Sequence, residues 1–256
     1  MRTAEKIGGG EALLTGCFTE TGPVRDTNED YVKCAVSGDT AFLVIADGLG
    51  GAPYGEVASE MASNEAMDIL VAEWKRDFSE EDRASFLLRL FNRVNGKILR
   101  RCIDEPHLTG MCTTLTVVIL TCEHLSIGHV GDSRAYLVKD DELTMISCDH
   151  NRAGRLLSSG VITEEEARTH PGRNLLTMVV GENTYLDPHI RDMEVKTGDA
   201  VVLMTDGVYM SVGEDDISGV RSYGYDLDGY CRNLVSKAIR QGSSDNCTAA
   251  AAVICK

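Results

Sequence analysis

Two apolar runs in this sequence end in the same pair of residues. Phe42-Leu43-Val44-Ile45-Ala46 leads into Asp47-Gly48, and Val201-Val202-Leu203-Met204-Thr205 leads into Asp206-Gly207. Two more aspartates stand at the opposite kind of boundary. Asp30 directly precedes the run that opens at Tyr31, and Asp245 stands just before the run that opens at Cys247. A carboxylate at the end of a buried strand is held rigidly by its sheet, and a following glycine lets the backbone carbonyl approach an ion closely. Mg2+ and Mn2+ take such oxygen ligands. Asp-Gly and Asp-Asn are also ordinary turn formers, so the pattern alone leaves a divalent-metal site and a set of turns both open.

The elements that would position these residues follow from hydrophobic periodicity. Tyr31–Val36 and Ala41–Ala46 read as a hairpin about the Ser37-Gly38-Asp39-Thr40 turn. The start of one antiparallel strand lies beside the end of the next, so Asp30 and Asp47 are expected at one open end. If the last two strands pair likewise, Asp206 and Asp245 also converge, and four carboxylates meeting there would repel one another severely unless cations offset them. After the glycine-rich stretch Gly48–Gly55 a helical pattern runs from about Glu56 to Arg76. A second helix follows a cap at Ser79, with Asp82 three residues on and an apolar stripe of Phe86, Leu87, Leu90, Phe91, Val94, Ile98 and Leu99. Thr113–Thr121, Leu125–Val130 and Ala135–Val138 read as antiparallel strands joined by short turns, because connections this short cannot carry parallel crossovers. Arg152–Leu157 and Thr163–Thr169 read as short helices, Ala200–Thr205 as a buried strand, Gly229–Arg240 as a helix and Cys247–Cys255 as a final strand. Clustered strands with helices in pairs predict an α+β fold: two antiparallel sheets packed face to face with helix pairs outside.

Composition narrows the function classes. The chain has 256 residues, enough for one large domain spanning 1–256, with 43% hydrophobic and 25% charged residues. Its 40 acidic against 25 basic residues leave a formal charge of −15, which argues against nucleic-acid or anionic-membrane binding. Bound metal would still admit an anionic substrate. The nine cysteines are odd in number and irregularly spaced. Cys34, Cys122, Cys148, Cys247 and Cys255 lie in or beside apolar stretches, so reduced thiols are expected, with a structural zinc site the rival reading. Met1–Gly10 has no apolar segment of signal-peptide type and no long apolar run follows, so a cytoplasmic location is expected.

The motifs in order resemble those of the metal-dependent serine/threonine protein phosphatases of the PPM (type 2C) family, in the compact bacterial form. The resemblance runs from about Thr15 to the C-terminus. Arg25-Asp26-Thr27-Asn28-Glu29-Asp30 is similar to the family's opening motif. Asp47-Gly48-Leu49-Gly50-Gly51 with Gly55-Glu56-Val57-Ala58-Ser59 is similar to its glycine-rich block. Gly110-Met111-Cys112-Thr113-Thr114-Leu115 and His129-Val130-Gly131-Asp132-Ser133-Arg134-Ala135-Tyr136 resemble its central strands. Asp149-His150, Gly160–Thr163 and His170-Pro171-Gly172-Arg173-Asn174 resemble its flap segment, here about 151–175. Asp206-Gly207 and Asp245-Asn246-Cys247-Thr248 resemble its closing motifs.

The resemblance implies that Asp47 bridges two Mn2+ or Mg2+ ions, that the Gly48 carbonyl binds one of them, and that Asp206 and Asp245 complete the other. Asp30 would serve the second ion directly or through water. Asp132, with Asp206, would serve a third, weaker site, and Arg25 would grip the substrate phosphate. Hydroxide bridging the ions would then attack phosphorus in line, with no cysteine or serine nucleophile. The implied substrates are proteins carrying phosphoserine or phosphothreonine, the implied counterpart a bacterial Ser/Thr kinase, and the implied state a monomer. His150, His170 and His189 stand as acid–base candidates against a structural or flap-surface reading. Leu49, Ala52, Cys112 and Met178 depart from the family pattern, and Leu49 leaves no histidine there as general acid. A non-catalytic member of the fold and a hydrolase of small phosphate esters are the competing functions.

Overall fold

In a computed structural model, residues 5–6, 12–49, 54–140 and 142–255 are described. Gly50, Gly51 and Ala52 of the glycine-rich block, and most of Met1–Gly10, lie outside them. The chain order is β1 (Glu5–Lys6), β2 (Ala12–Glu20), β3 (Asp30–Ser37), β4 (Thr40–Asp47), α1 (Gly55–Glu73), α2 (Glu80–Asp104), β5 (Leu115–Leu120), β6 (His124–Val130), β7 (Arg134–Lys139) and β8 (Glu142–Met145). Then come α3 (Arg152–Ser158), α4 (Glu164–Thr169), β9 (His189–Glu194), β10 (Ala200–Met204), α5 (Asp206–Tyr209), α6 (Glu214–Ser218), α7 (Leu227–Arg240) and β11 (Cys247–Cys255). Two antiparallel sheets result, one ordered β1-β2-β11-β10-β7-β8 and the other β3-β4-β5-β6-β9.

The layers follow from which strand faces are apolar. Leu43 and Ile45 of β4 join Val118, Ile127, Leu203 and Ile254 in the core between the sheets. Phe42 and Val44 point the other way, onto α1 and α2, with Ala62, Leu70, Leu90 and Phe91. Burial on both faces is why β4 reads as an unbroken apolar run instead of an alternating one. A third core, holding Val202, Val208, Tyr230 and Leu234, lies between the other sheet and α5, α6 and α7.

Local signals set the helix ends. Ser79 caps α2 by accepting from the Asp82 amide while Asp82 accepts from the Ser79 amide, the reciprocal box its spacing predicts. Helix α1 stops at Glu73, short of Arg76, because Trp74 turns extended and meets the Phe78 and Phe86 rings edge-on at 5.5 and 5.6 Å. One expected pairing is corrected. β6 and β7 do not form a hairpin; Gly131-Asp132-Ser133 carries the chain from one sheet to the other, where β7 pairs with β8 and β10.

Four strands escaped the sequence reading: β1, β2, β8 and β9. β9 (His-Ile-Arg-Asp-Met-Glu) is a polar strand at a sheet edge, and its Asp192 takes a bidentate ion pair from the buried Arg83 of α2 at 2.9 and 2.6 Å. β2 is broken in pattern by Gly16, whose missing side chain is what lets α7 sit down on it. A Cβ at Gly16 would lie 2.4 Å from the backbone of Leu227 and Asp228. Gly16→Ala must therefore shift α7, and we expect a loss of about 1–3 kcal/mol, read as a lower midpoint in denaturant unfolding. An unchanged midpoint would contradict this contact.

Candidate functional site

The register of β3 against β4 puts Asp30 directly opposite Asp47 at the open end of their hairpin. β10 and β11 are likewise paired, Met204 against Ala249, so Thr205 and Thr248 meet one residue further on: the Thr205 amide donates to the Thr248 carbonyl at 3.1 Å and the Thr248 amide to Thr205 Oγ1 at 3.1 Å. Asp206 and Asp245 follow at that end. Each pair of aspartates thus comes from one sheet, and the two sheets bring the pairs to a common edge.

Asp30 is buried, and Oδ2 accepts the hydroxyls of Thr205 at 2.9 Å and Thr248 at 2.6 Å, both from the opposite sheet. The hydrogen bonds extend outward: Thr19 Oγ1 lies 2.7 Å from Thr248 Oγ1 and accepts from Asn28 Nδ2 at 2.9 Å. The other Asp30 oxygen, Oδ1, is buried with no hydrogen-bond partner. Asp47 is fixed through its backbone. Its amide donates to Thr114 Oγ1 at 2.9 Å, and its carbonyl accepts from the Thr114 amide at 2.8 Å and Thr113 Oγ1 at 2.9 Å. Gly48 is pressed against the next segment, where a Cβ would fall 2.3 Å from the Gly55 carbonyl oxygen.

Asp206 is the first residue of α5, not the last of a strand. At a helix start its carboxylate faces the positive end of the backbone dipoles. Asp245 accepts from the Asn246 amide through Oδ1 at 2.8 Å and from Arg25 Nη2 through Oδ2 at 2.9 Å. Asp132 lies buried in the turn that crosses between the sheets. Among the described residues no three acidic, histidine or cysteine side chains already stand together as ligands of one ion; Asp30 turns Oδ2 to the threonines, and Asp245 gives Oδ2 to Arg25.

The electrostatics are those of crowded, desolvated carboxylates. Burial first, then the charges of Asp30, Asp206, Asp132 and Asp245, push the Asp47 carboxyl well above its ordinary range. Burial pushes Asp30 up to about 7 against the hydroxyl hydrogen bonds that favour its charged form, and Asp132 up to about 7. Asp206 rises to about 6, through burial and then Asp245.

His150 and His170 each accept from a backbone amide. His150 Nδ1 accepts from the Gly131 amide at 3.2 Å, and His129 Nε2 lies 2.9 Å from the Gly131 carbonyl oxygen, the rings 5.2 Å apart. Both therefore brace the turn that carries Asp132. Burial, then His150, drives His129 down to about 3, so it is neutral. His170 Nδ1 accepts from the Gly172 amide at 3.0 Å just after α4, and His189 is paired in register with His129, its Nε2 buried without a partner.

Two supporting groups were missed. Asn246 accepts from the Glu29 amide at 2.9 Å and donates to the carbonyls of Thr21 and Thr27 at 2.9 and 3.0 Å, fastening the loop before β3 to the site. Its signal was its place in the Asp245-Asn246-Cys247-Thr248 motif. Arg134 clasps Asp149 at 3.1 and 2.8 Å with its guanidinium 4.1 Å above the Tyr209 ring, joining β7, α5 and the loop before α3. Only three-dimensional contact reveals that trio.

The raised carboxyl groups have a consequence for stability. The folded state holds protons that the unfolded state releases above about pH 4, so in chelator-containing buffer stability is full at the acid end and falls as pH rises from about 4 through the folded values near 6 and 7. Thermal melts should show this decline, with a shallower slope for Asp30→Asn. A wild-type profile that rises across the window would overturn the assignment.

Comparison with known proteins places this arrangement. The protein phosphatase 2C family model matches residues 24–239. The protein phosphatase PhpP of Streptococcus pneumoniae is 31% identical over 91% of this chain and 94% of its own length. Among solved structures, the serine/threonine phosphatase Stp1 of Staphylococcus aureus superposes with a TM-score of 0.84 at 28% identity, covering 99% of this chain and 97% of that one. The catalytic domain of the serine/threonine protein phosphatase PstP, solved in complex with two manganese ions, superposes with a TM-score of 0.80 at 30% identity over 96% of this chain and all of that one.

Proposed function

This chain belongs to the protein phosphatase 2C family, and from that premise we propose that it hydrolyses phosphoserine and phosphothreonine in proteins with the help of two divalent ions held at the edge where its sheets meet. It is a serine/threonine protein phosphatase, as its relatives are named. The observation that carries the metal reading is the buried, unpartnered Oδ1 of Asp30 beside Asp47, within a set of mutually repelling carboxylates. The donors are hard oxygens, which fit Mn2+ or Mg2+.

In this reading Asp47 would serve both ions, the Gly48 carbonyl and Asp30 one of them, and Asp206 and Asp245 the other, with Asp132 at an outer, weaker site. When bound, such ions supply a hydroxide nucleophile at neutral pH and polarise the phosphoryl oxygens for in-line attack. The chain's own part is positional. The sheet registers hold the carboxylates, the Thr205 and Thr248 hydroxyls fix the rotation of Asp30, and Asn246 fixes the loop that bears Arg25. Arg25 and Asp245 are both substantially exposed, at 42% and 37%. An exposed ion pair contributes little, so Arg25 is free to leave Asp245 and pair with a substrate phosphate in fork geometry. We read residues 1–256 as one catalytic unit with the flap at about 151–175. It acts as a cytoplasmic monomer opposite a Ser/Thr kinase.

Hydrolysis of small phosphate esters alone is the second reading, since the same carboxylates do not encode substrate size. The purified protein should turn over p-nitrophenyl phosphate and a phosphothreonine peptide with Mn2+ and lose both activities in EDTA. No Mn2+-dependent turnover of either would sink the phosphatase reading, and turnover of the ester with none of several phosphopeptides would select the second. Asp47→Asn should lower kcat by about two orders of magnitude or more, because it weakens both ions at once. A near-normal kcat would remove Asp47 from the centre.

A further inference from the structure

Two cysteine thiols converge on the carbonyl of Gly16, the residue before a third cysteine, Cys17. Cys34 Sγ lies 3.7 Å and Cys231 Sγ 3.4 Å from the Gly16 carbonyl oxygen. Cys17, the next residue along β2, packs against the same inter-sheet core as Cys34, and the two thiols interact electrostatically. Cys17 and Cys34 pack against the core between the sheets, whereas Cys231 of α7 is buried in the core on the outer face of β2. β2 and β3 belong to different sheets, so the Cys17–Cys34 contact spans the sandwich. As residues Cys17 and Cys34 are half-buried, whereas Cys112, Cys231 and Cys247 are buried. Other cysteines direct their thiols elsewhere: Cys102 to the Leu108 carbonyl at 3.3 Å, and Cys247 to the Gly207 carbonyl at 3.4 Å.

We propose that Cys17 and Cys34 form a cross-sheet dithiol that a hydroperoxide converts into a disulfide, reversibly stapling β2 to β3. The proposal goes beyond the phosphatase reading and does not depend on it. Cys17 attacks first. Its sulfur takes the terminal peroxide oxygen as the O–O bond breaks, giving a sulfenic acid and an alcohol, or water when the oxidant is hydrogen peroxide. The Cys34 sulfur then attacks the Cys17 sulfur and expels the hydroxyl, which leaves as water with the Cys34 proton. The two sulfurs together lose two electrons, and the peroxide gains them.

The order of attack follows from the surroundings. The interaction with Cys34 lowers the Cys17 thiol below the usual range, against burial and the nearby Asp228 carboxylate, and the same interaction together with burial pushes Cys34 up. The thiolate is the nucleophile, so Cys17 reacts and Cys34 resolves. A disulfide draws its sulfurs to about 2.0 Å. The link would fall two residues along β2 from Thr19, which bonds Thr248, and four along β3 from Asp30.

The test uses the full-length, reduced protein, treated with a few equivalents of hydrogen peroxide, blocked with N-ethylmaleimide and examined by intact-mass and peptide mapping. The expected product is about 2 Da lighter before blocking, has two fewer alkylatable thiols, contains a Cys17–Cys34 linked peptide and reverts with dithiothreitol. Cys17→Ser and Cys34→Ser should each abolish that peptide, and Cys231→Ser should retain it. A bridge to Cys231, a sulfinic acid on Cys17 without any cross-link, or two thiols that stay fully alkylatable would overturn the proposal. The mapping of the wild-type protein decides the matter even where a serine variant fails to fold.

Discussion

The acceptance of two threonine hydroxyls by one buried carboxylate ties this molecule together where it matters most. Asp30 opens a strand of one sheet, while Thr205 and Thr248 sit at the ends of paired strands in the other. Two sheets joined only by side-chain packing can slide and twist with modest cost, because dispersion and apolar burial have little directional preference. Hydrogen bonds to a carboxyl oxygen, by contrast, are directional. They convert a sandwich held by Leu43, Ile45, Leu203 and Ile254 into one whose edge has a defined geometry.

That edge is also where the molecule carries its electrostatic cost. Several carboxylates are buried together and raise one another's affinity for protons. No arrangement of the apolar core requires this, and a sandwich with neutral residues there would be the more stable apoprotein. Strain of this kind persists at sites where it is part of the function. Its support comes from fixed points around the rim: the Thr113 and Thr114 contacts to the Asp47 backbone, the three hydrogen bonds of Asn246, and the Arg134–Asp149 pair over Tyr209.

Much of this was legible before any coordinates. The hairpin bearing Asp30 and Asp47 could be read because β4 is apolar on both faces and its turn is rich in turn formers, and both features are local. The α2 cap could be read for the same reason. What could not be read depended on contacts between distant segments. β2 was hidden because Gly16 answers to a helix more than 200 residues away in sequence, and β9 because an edge strand tolerates charge. The crossing at Gly131–Ser133 looked like a hairpin turn, since a short connection excludes a parallel crossover but says nothing about a change of sheet. The roles of Thr205 and Thr248 were invisible for a similar reason: threonine is at home in any strand, and only the opposing Asp30 distinguishes these two.

The β3–β4 hairpin has two arms of equal length, Asp30–Ser37 and Thr40–Asp47, measured outward from a single turn. It is in effect a ruler with a carboxylate at each tip. Adding or deleting one residue within either arm would move one tip by about 3.4 Å and turn its side chain to the opposite face of the sheet, whereas extra residues at the turn would leave both tips in place. Descendants of this sequence are therefore free to vary the length of the Gly38 turn, while the arms themselves can change only residue by residue.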